Sequence, residues 1–486
     1  MDNNKFDIII IGAGVVGAFV ARELSRYKLD VLWIEKESDI CMGASSANSA
    51  IIHSGHDPKP GTLKAQMNSS GNRMWRDAVR ELDIPFKETG AYVVAIGNGE
   101  FDKIEPLYRR GVENGIPGLR ILGRDEMLMR EPLLNPRVSG ALWTPSAAVI
   151  DPFAAVLAPS ENAVTNGVKL MLNTAFIDFI MQDGIITGIK TSAGVFYSRW
   201  VVNSAGLFSD EVMHKAGVRP DFKITPKRGE YLVFDASKVK LNNVLFPMPT
   251  EKGKGTIVST TVHGNVMIGP NAFEIHDKTD TATSAVGLSE ILSNAKRLVP
   301  SLEGRDVIAS YSGIRATGNA DRDFVIEITD NGLVNLGGIE SPGFASAPAI
   351  AKRVMELLAD AGEKLIHREN FNPFRKSSPC FRRLSHKERG ELVGQNPAYG
   401  RIVCQYKKIT EVEIIEAIHS PIPATTYDAI KRRTWLGTGR CQGGFDYPRV
   451  IEILSSELGF PVENVSKKGA GSEFVFRPTK ILKESR

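Results

Sequence analysis

FDIIIIGAGVVGAFVARELSRYKLDVLWIEKE, residues 6–37, reads as a strand, a glycine turn, a helix and a second strand. Ile8–Ile11 is an unbroken apolar run, the pattern of a strand buried on both faces of a parallel sheet. Gly12, Gly14 and Gly17 follow as G-x-G-x-x-G, and Val16, Phe19, Val20 and Leu24 give the next segment an apolar helical stripe. Val31–Ile34 is a second strand, and it ends in Glu35. The first glycine permits a tight turn, the second lets the backbone approach a pyrophosphate, and the third lets the helix pack on the strand. The helix N-terminus stabilises phosphate charge, and an acid ending the second strand accepts hydrogen bonds from a ribose diol. A functionless glycine turn does not explain Glu35 at that spacing. The stretch is therefore read as a dinucleotide-binding unit in an α/β protein.

The 486 residues carry 60 Lys and Arg against 56 Asp and Glu, a net charge of +4. That excess is small, and no basic block exceeds short runs such as Lys431–Arg433, which argues against nucleic acid. Four cysteines (Cys41, Cys380, Cys404, Cys441) are too few for a disulfide framework and suit a reducing compartment. No segment approaches the roughly 20 apolar residues that span a bilayer, and the start of the chain has no cleavage pattern. The expectation is a cytoplasmic protein of two or three domains, with peripheral contact at the inner membrane face left open.

An NAD-binding unit would read the same so far, and the next segments choose the cofactor. GASSANSAIIHSGHDPKPGTLKAQM, residues 43–67, opens with small and polar residues that can lie along an extended cofactor, with Ser45, Ser46 and Asn48 offering hydrogen bonds. YSRWVVNSAGLFSDEV, residues 197–212, contains a buried strand at Trp200–Val202, a tight turn at Ala205-Gly206, and Ser209 as a helix N-cap. NGLVNLGGIESPGFASAPAIAKRVMELLADAG, residues 331–362, runs from a strand (Leu333–Leu336) through a glycine loop into an amphipathic helix. The dipole of that helix start would stabilise negative charge on a reduced flavin.

Together these segments resemble the D-amino-acid-oxidase superfamily of FAD-dependent oxidoreductases, over nearly the whole chain. The resemblance implies FAD held by Gly12, Gly14, Val16, Gly17, Glu35, Lys36, Ser45, Ser46, Asn48, Phe176, Ala205, Gly206, Gly338, Gly343 and Phe344. It implies a Rossmann-type FAD-binding domain with an inserted, mainly antiparallel β substrate domain and a small α-rich C-terminal domain. The boundaries drawn are 1–83, 149–224 and 299–365 for FAD binding and 84–148 and 225–298 for the substrate domain. A linker at 366–394 then leads to a C-terminal domain at 395–486. Gly255–Gly269 reads as a hairpin around Gly264-Asn265.

Flavin oxidation of an alcohol needs a donor carbon over the flavin, a base for the hydroxyl proton and an anchor for the rest of the substrate. His53 is the first candidate base, because a neutral imidazole can accept that proton and the family's histidine lies near the flavin ring. His56 is a second candidate, and His263 is read as structural. The resemblance places Gly313-Ile314-Arg315 at the active site, where a guanidinium can hold a carboxylate or phosphate in two hydrogen bonds. Arg228 either aids it or has a surface or interdomain role, and Lys59 and Lys64 are assigned no role.

Two branches compete for the substrate. NSAIIHSGHDPKPGTLKA and GIESPGFASAPAI resemble L-2-hydroxyglutarate dehydrogenases, whereas the domain plan resembles the large subunit of anaerobic glycerol-3-phosphate dehydrogenase. The latter typically carries a Lys-Thr stretch where this chain reads SPGFAS, and an Arg-Tyr pair where it reads HDP. Both substrates, small anionic secondary alcohols, stay open. An amino-acid or amine oxidase and a non-catalytic FAD-bearing electron-transfer subunit are the alternatives.

Residues 399–459 resemble the bacterioferritin-associated-ferredoxin-like [2Fe–2S] domain, with helical patterns at Glu411–Ala417, Thr426–Arg433 and Pro448–Leu458. The family's ligands follow C-x-C and then, about thirty residues on, C-x4-C. Cys404 and Cys441 match, but Tyr406 and Asp446 replace the second and fourth thiolates. No normal cluster and no other metal are expected. Electrons would then leave the flavin for oxygen, a quinone or a second flavoprotein.

Overall fold

The structure, a computed structural model, describes residues 4–249, 255–318 and 323–476. It divides into one unit of Met1–Lys36 with Ile40–Arg375 and a second of Glu37–Asp39 with Lys376–Arg486. In the first unit, strand Lys5–Ile11 pairs in parallel with Val31–Ile34 on one side and Gly194–Asn203 on the other. It lies inside an eight-stranded sheet, and Ile8–Ile11 are buried. That position explains the lack of polar alternation. Leu333–Gly337 extends the parallel set, while Phe176–Gln182 and Ile185–Thr191 join it antiparallel. Helices Val15–Leu24 and Leu63–Leu82 both pack on Gly343–Asp360. The last two approach so closely that a β-carbon on Gly71 would come 2.3 Å from the Ala345 carbonyl oxygen.

The second large sheet has nine strands, antiparallel except where Val244–Pro247 runs parallel to Ala91–Ile96. Ile257–Thr260 and Val266–Gly269 form the hairpin read from the sequence, with Gly264 at φ +85° in its turn. One strand differs from the boundaries drawn above. Val307–Thr317, grouped by sequence with the third FAD segment, pairs along its length with Thr225–Phe234 and so belongs to the antiparallel sheet. Ser209 also differs: it is the first helical residue of Ser209–Lys215 and makes no capping hydrogen bond.

In the second unit, helices Glu411–Ile418, Tyr427–Thr434 and Tyr447–Leu458 enclose a core that includes Cys404, Ile414, Ile430 and Leu454. The unit begins at Lys376, inside the stretch read as linker. That stretch carries a helix of its own. His386–Gln395 is a helix started by a capping box, with Ser385 and Glu388 each accepting the other's backbone N–H. Asp39, grouped with this unit, accepts hydrogen bonds from Arg432 and Arg433. Burial alone would raise the pKa of its carboxyl, but the two guanidiniums outweigh that and lower it. Among the described residues, no helix is long and apolar enough to cross a membrane.

Candidate active site

The glycine loop is shaped by what it must let near. Gly12 has φ +98°, and a β-carbon on Gly17 would lie 2.2 Å from the Gly12 carbonyl oxygen. The helix behind it has no side-chain cap, leaving backbone N–H groups for an anion. Two of the neighbouring amides are held by predicted residues: Ala13 donates to Glu35 Oε2 at 2.7 Å and Val15 to Ser45 Oγ at 2.9 Å. A β-carbon on Gly14 would approach the same Ser45 Oγ at 3.1 Å. Val16 is half-buried in the first turn. Lys36 is exposed, with its ammonium 3.9 Å from the Phe208 ring, two residues beyond Gly206.

Ser46 and Asn48 also have partners within their own loop. Ser46 donates to the Gly43 carbonyl at 2.8 Å, and Asn48 bonds the Ser45 carbonyl and the Ala50 amide. Their side chains shape the loop that carries them. Phe176 packs on Phe179 at 4.8 Å beside the core around Ile11 and Ile34. Ala205 N–H donates to Asn203 Oδ1, and Gly206 takes φ +58°. Gly338 turns at φ +65°, and Gly343 starts its helix without a side-chain cap. The Phe344 ring stacks on buried Trp75, 5.9 Å between centroids.

The antiparallel sheet meets this loop directly. Tyr311 donates to the Asn48 carbonyl at 2.9 Å, and a β-carbon on Gly313 would come 1.8 Å from the Ala47 carbonyl oxygen. Arg315 follows two residues later on the same face of that strand. Its guanidinium donates to the Asn271 carbonyl at 3.2 Å. Burial raises the Tyr231 pKa, with Arg315 offsetting part of the rise; burial and then Tyr231 hold Tyr311 well above the ordinary phenol range. Among the described residues Arg315 has no carboxylate partner. Arg228 does: Asp280 lies 2.5 Å away, with buried Glu230 at 3.6 Å.

His53 is half-buried five residues beyond Asn48, its carbonyl held by Asn68 and Asn72 and its ring 5.6 Å from Phe246. His56 is buried, bonded to Ser54 Oγ at 2.8 Å and packed against Gly111. Sequence reasoning missed Tyr231, Tyr311 and the Lys64–Glu340–Thr317 network, in which Glu340 accepts from Lys64 at 3.0 Å and from Thr317 at 2.8 Å. It also missed that His263 pairs with Asp151 at 3.0 Å. None of these has a local signal, because their partners are distant in sequence.

The glycine cradle, the acid closing it and the uncapped helix starts fit a flavin dinucleotide. A family described as FAD dependent oxidoreductase matches residues 7–357. The chain belongs to that family. It is 42% identical over 478 residues to a glycerol 3-phosphate dehydrogenase of Caloramator mitchellensis, covering 98% of this chain and 99% of that one. A mitochondrial L-2-hydroxyglutarate dehydrogenase of Arabidopsis thaliana is 30% identical, covering 72% of this chain and 83% of its own. The FAD-bound L-α-glycerophosphate oxidase of Mycoplasma pneumoniae superposes with a TM-score of 0.73 at 32% identity, covering 77% of this chain and 99% of that one. The protein is an FAD-dependent oxidoreductase.

The second unit has its own polar cluster. Cys404 is buried, and the buried Asp446 carboxylate is among the charges that act on it. Burial, with Asp446 adding, pushes the Cys404 pKa up. The Tyr427 hydroxyl closes the cluster against Gly437 and Gly443, and the Tyr406 ring covers Gly439. Cys441 is half-exposed. Among the described residues, no group of three or more His, Cys, Asp or Glu is arranged to hold a metal.

Proposed function

We propose that the protein oxidises sn-glycerol 3-phosphate to dihydroxyacetone phosphate. The observation that carries the reading is Arg315: a half-buried guanidinium on the substrate sheet, next to the cofactor loop, without a carboxylate partner among the described residues. Such a group is suited to a phosphate or carboxylate. Bound FAD supplies the acceptor for the hydride that leaves the alcohol carbon. His53 takes the hydroxyl proton, and Phe246 gives that side of the site an apolar wall. His56, spent on Ser54, supports the segment.

Glycerol 3-phosphate is favoured over a 2-hydroxy acid because the likeness to the Caloramator enzyme runs through both units, whereas that to the Arabidopsis enzyme covers 72% of the chain. L-2-hydroxyglutarate is the second reading, favoured by Ser341–Ser346, where a phosphate-binding lysine is missing. The product assay separates them. Anaerobic single turnover should release dihydroxyacetone phosphate in amounts equal to the FAD; release of 2-oxoglutarate alone from the second substrate would reverse the choice.

The second unit is proposed to be a ferredoxin-like module without a cluster. Two of four thiolate positions are Tyr406 and Asp446, and neither a phenol nor a carboxylate suits iron as a thiolate does. Electrons then pass from the FAD to an acceptor outside the chain, whether oxygen, a quinone or a second flavoprotein. Free cysteines support a reducing cytoplasm, with contact at the inner membrane face compatible with a quinone acceptor.

A further inference from the structure

Helix Leu63–Leu82 turns Ala65, Gly71, Trp75, Ala78 and Leu82 toward the core, and two asparagines interrupt that row. Asn68 and Asn72 are 1% and 3% exposed. Asparagine is a poor helix former, and a buried amide loses its water. Two of them buried in mid-helix therefore need partners that compensate. Standing four residues apart, their side chains share one face of the helix. Both amides donate to a single acceptor, the His53 carbonyl, at 2.8 and 3.0 Å. A carbonyl oxygen carries two lone pairs, so one atom accommodates both donors.

Asn72 has further partners. It also donates to the Ser146 carbonyl at 2.8 Å, and its Oδ1 accepts from Arg76 Nη1 at 3.1 Å. Asn68 differs: its Oδ1 is buried and has no hydrogen-bond partner among the described residues. An apolar residue at 68 would avoid that desolvation. What asparagine adds there is a donor for the His53 carbonyl.

His53 lies just beyond the two-residue strand Ile51–Ile52, where sheet pairing no longer fixes the chain. The loop that follows is held at its far end by another asparagine. Asn114 donates to the Gly55 and Pro58 carbonyls at 2.9 and 2.8 Å, and Arg110 donates to the Asp57 carbonyl at 3.1 Å. Asn68 and Asn72 pin the near end, at the residue that carries the imidazole. With that peptide plane held, two side-chain torsions remain to aim the ring. A proton acceptor must come within hydrogen-bond reach of the hydroxyl, and a displacement of about 1 Å costs on the order of 10²-fold in rate.

We infer that Asn68 is a positioning residue for proton transfer: together with Asn72 it clamps the His53 carbonyl and so sets where the imidazole points. This role rests on His53 being the base, as proposed above. Asn68 acts through His53, so its contribution should vanish when the imidazole is absent.

The test is the rate of anaerobic flavin reduction by sn-glycerol 3-phosphate in the FAD-loaded enzyme, in a double-mutant cycle of Asn68→Ala and His53→Asn. Asn68→Ala leaves the His53 carbonyl its bond from Asn72 and places a better helix former in the helix. It should slow reduction at saturating substrate about tenfold, with substrate and FAD dissociation constants changed less than about twofold. Asn68→Leu, which leaves no cavity, should show the same slowing. In the His53→Asn background, Asn68→Ala should slow reduction no further. Wild-type rates in both position-68 variants, with His53→Asn slow, would overturn the inference alone. So would an equal slowing with and without His53, or loss of FAD, since either would make Asn68 merely structural. A His53→Asn enzyme that reduces its flavin at the wild-type rate would overturn the base assignment, and the role of Asn68 with it.

Discussion

Glu35 and Ala13 are joined across the first βαβ unit, the carboxylate at the end of one strand accepting the loop amide at 2.7 Å. The contact organises the glycine turn, and the acid is proposed to serve the ribose diol of FAD. Glu35→Ala should therefore weaken FAD binding about 10- to 100-fold, the range for losing one or two hydrogen bonds to a charged acceptor. Titration of apoprotein with FAD, followed by flavin fluorescence, measures it. Equal affinity in variant and wild type would remove Glu35 from the cofactor site.

Arg315 and His53 should separate kinetically. Arg315→Ala is expected to raise KM about 100-fold with FAD still bound, since two charge-assisted hydrogen bonds to the anion are lost. His53→Asn is expected to lower kcat by about 10² to 10⁴ with KM little changed, the range for losing a general base. Steady-state kinetics at saturating electron acceptor read both. A His53→Asn enzyme with normal kcat would exclude proton transfer at His53.

Much of this site could be read in advance, and the reasons are local. The nucleotide unit announces itself through glycine spacing bounded by two apolar runs, and Glu35 stands at the one position where an acid is informative. What was not legible depends on pairing between distant strands. Val307–Thr317 joins the antiparallel sheet through partners about eighty residues earlier, so neither its sheet nor the Tyr231–Tyr311 stack follows from period or propensity. The Ser385–Glu388 box was legible but masked by the proline- and serine-bearing residues around it.

Glu131 gives a pH dependence of stability. It is buried, accepts the amides of Asn242 and Asn243, and burial pushes its pKa up to about 7, only partly offset by those amides. A raised folded-state pKa means that the neutral acid is favoured on folding. The stabilisation is complete below the ordinary carboxyl range and is lost as pH rises through about 7, a change on the order of 3 kcal/mol. Wild-type Tm should therefore fall between pH 5 and 8 more than that of Glu131→Gln, which keeps the carbonyl acceptor without the charge. Parallel curves would mean that Glu131 does not titrate in this window.

Metal removal should have no effect. Protein purified anaerobically is expected to contain no stoichiometric iron or acid-labile sulfide, and EDTA should leave its Tm unchanged, because Tyr406 and Asp446 stand at two of the four positions where the resembled module has thiolates. Stoichiometric iron with sulfide would overturn the cluster-free reading.

The most direct measurement is anaerobic absorbance of the FAD-loaded enzyme on adding sn-glycerol 3-phosphate or L-2-hydroxyglutarate. The account predicts that the flavin band bleaches with sn-glycerol 3-phosphate, at low concentration in wild type and only at far higher concentration in Arg315→Ala. An oxidised flavin spectrum that survives saturating amounts of both substrates would contradict it.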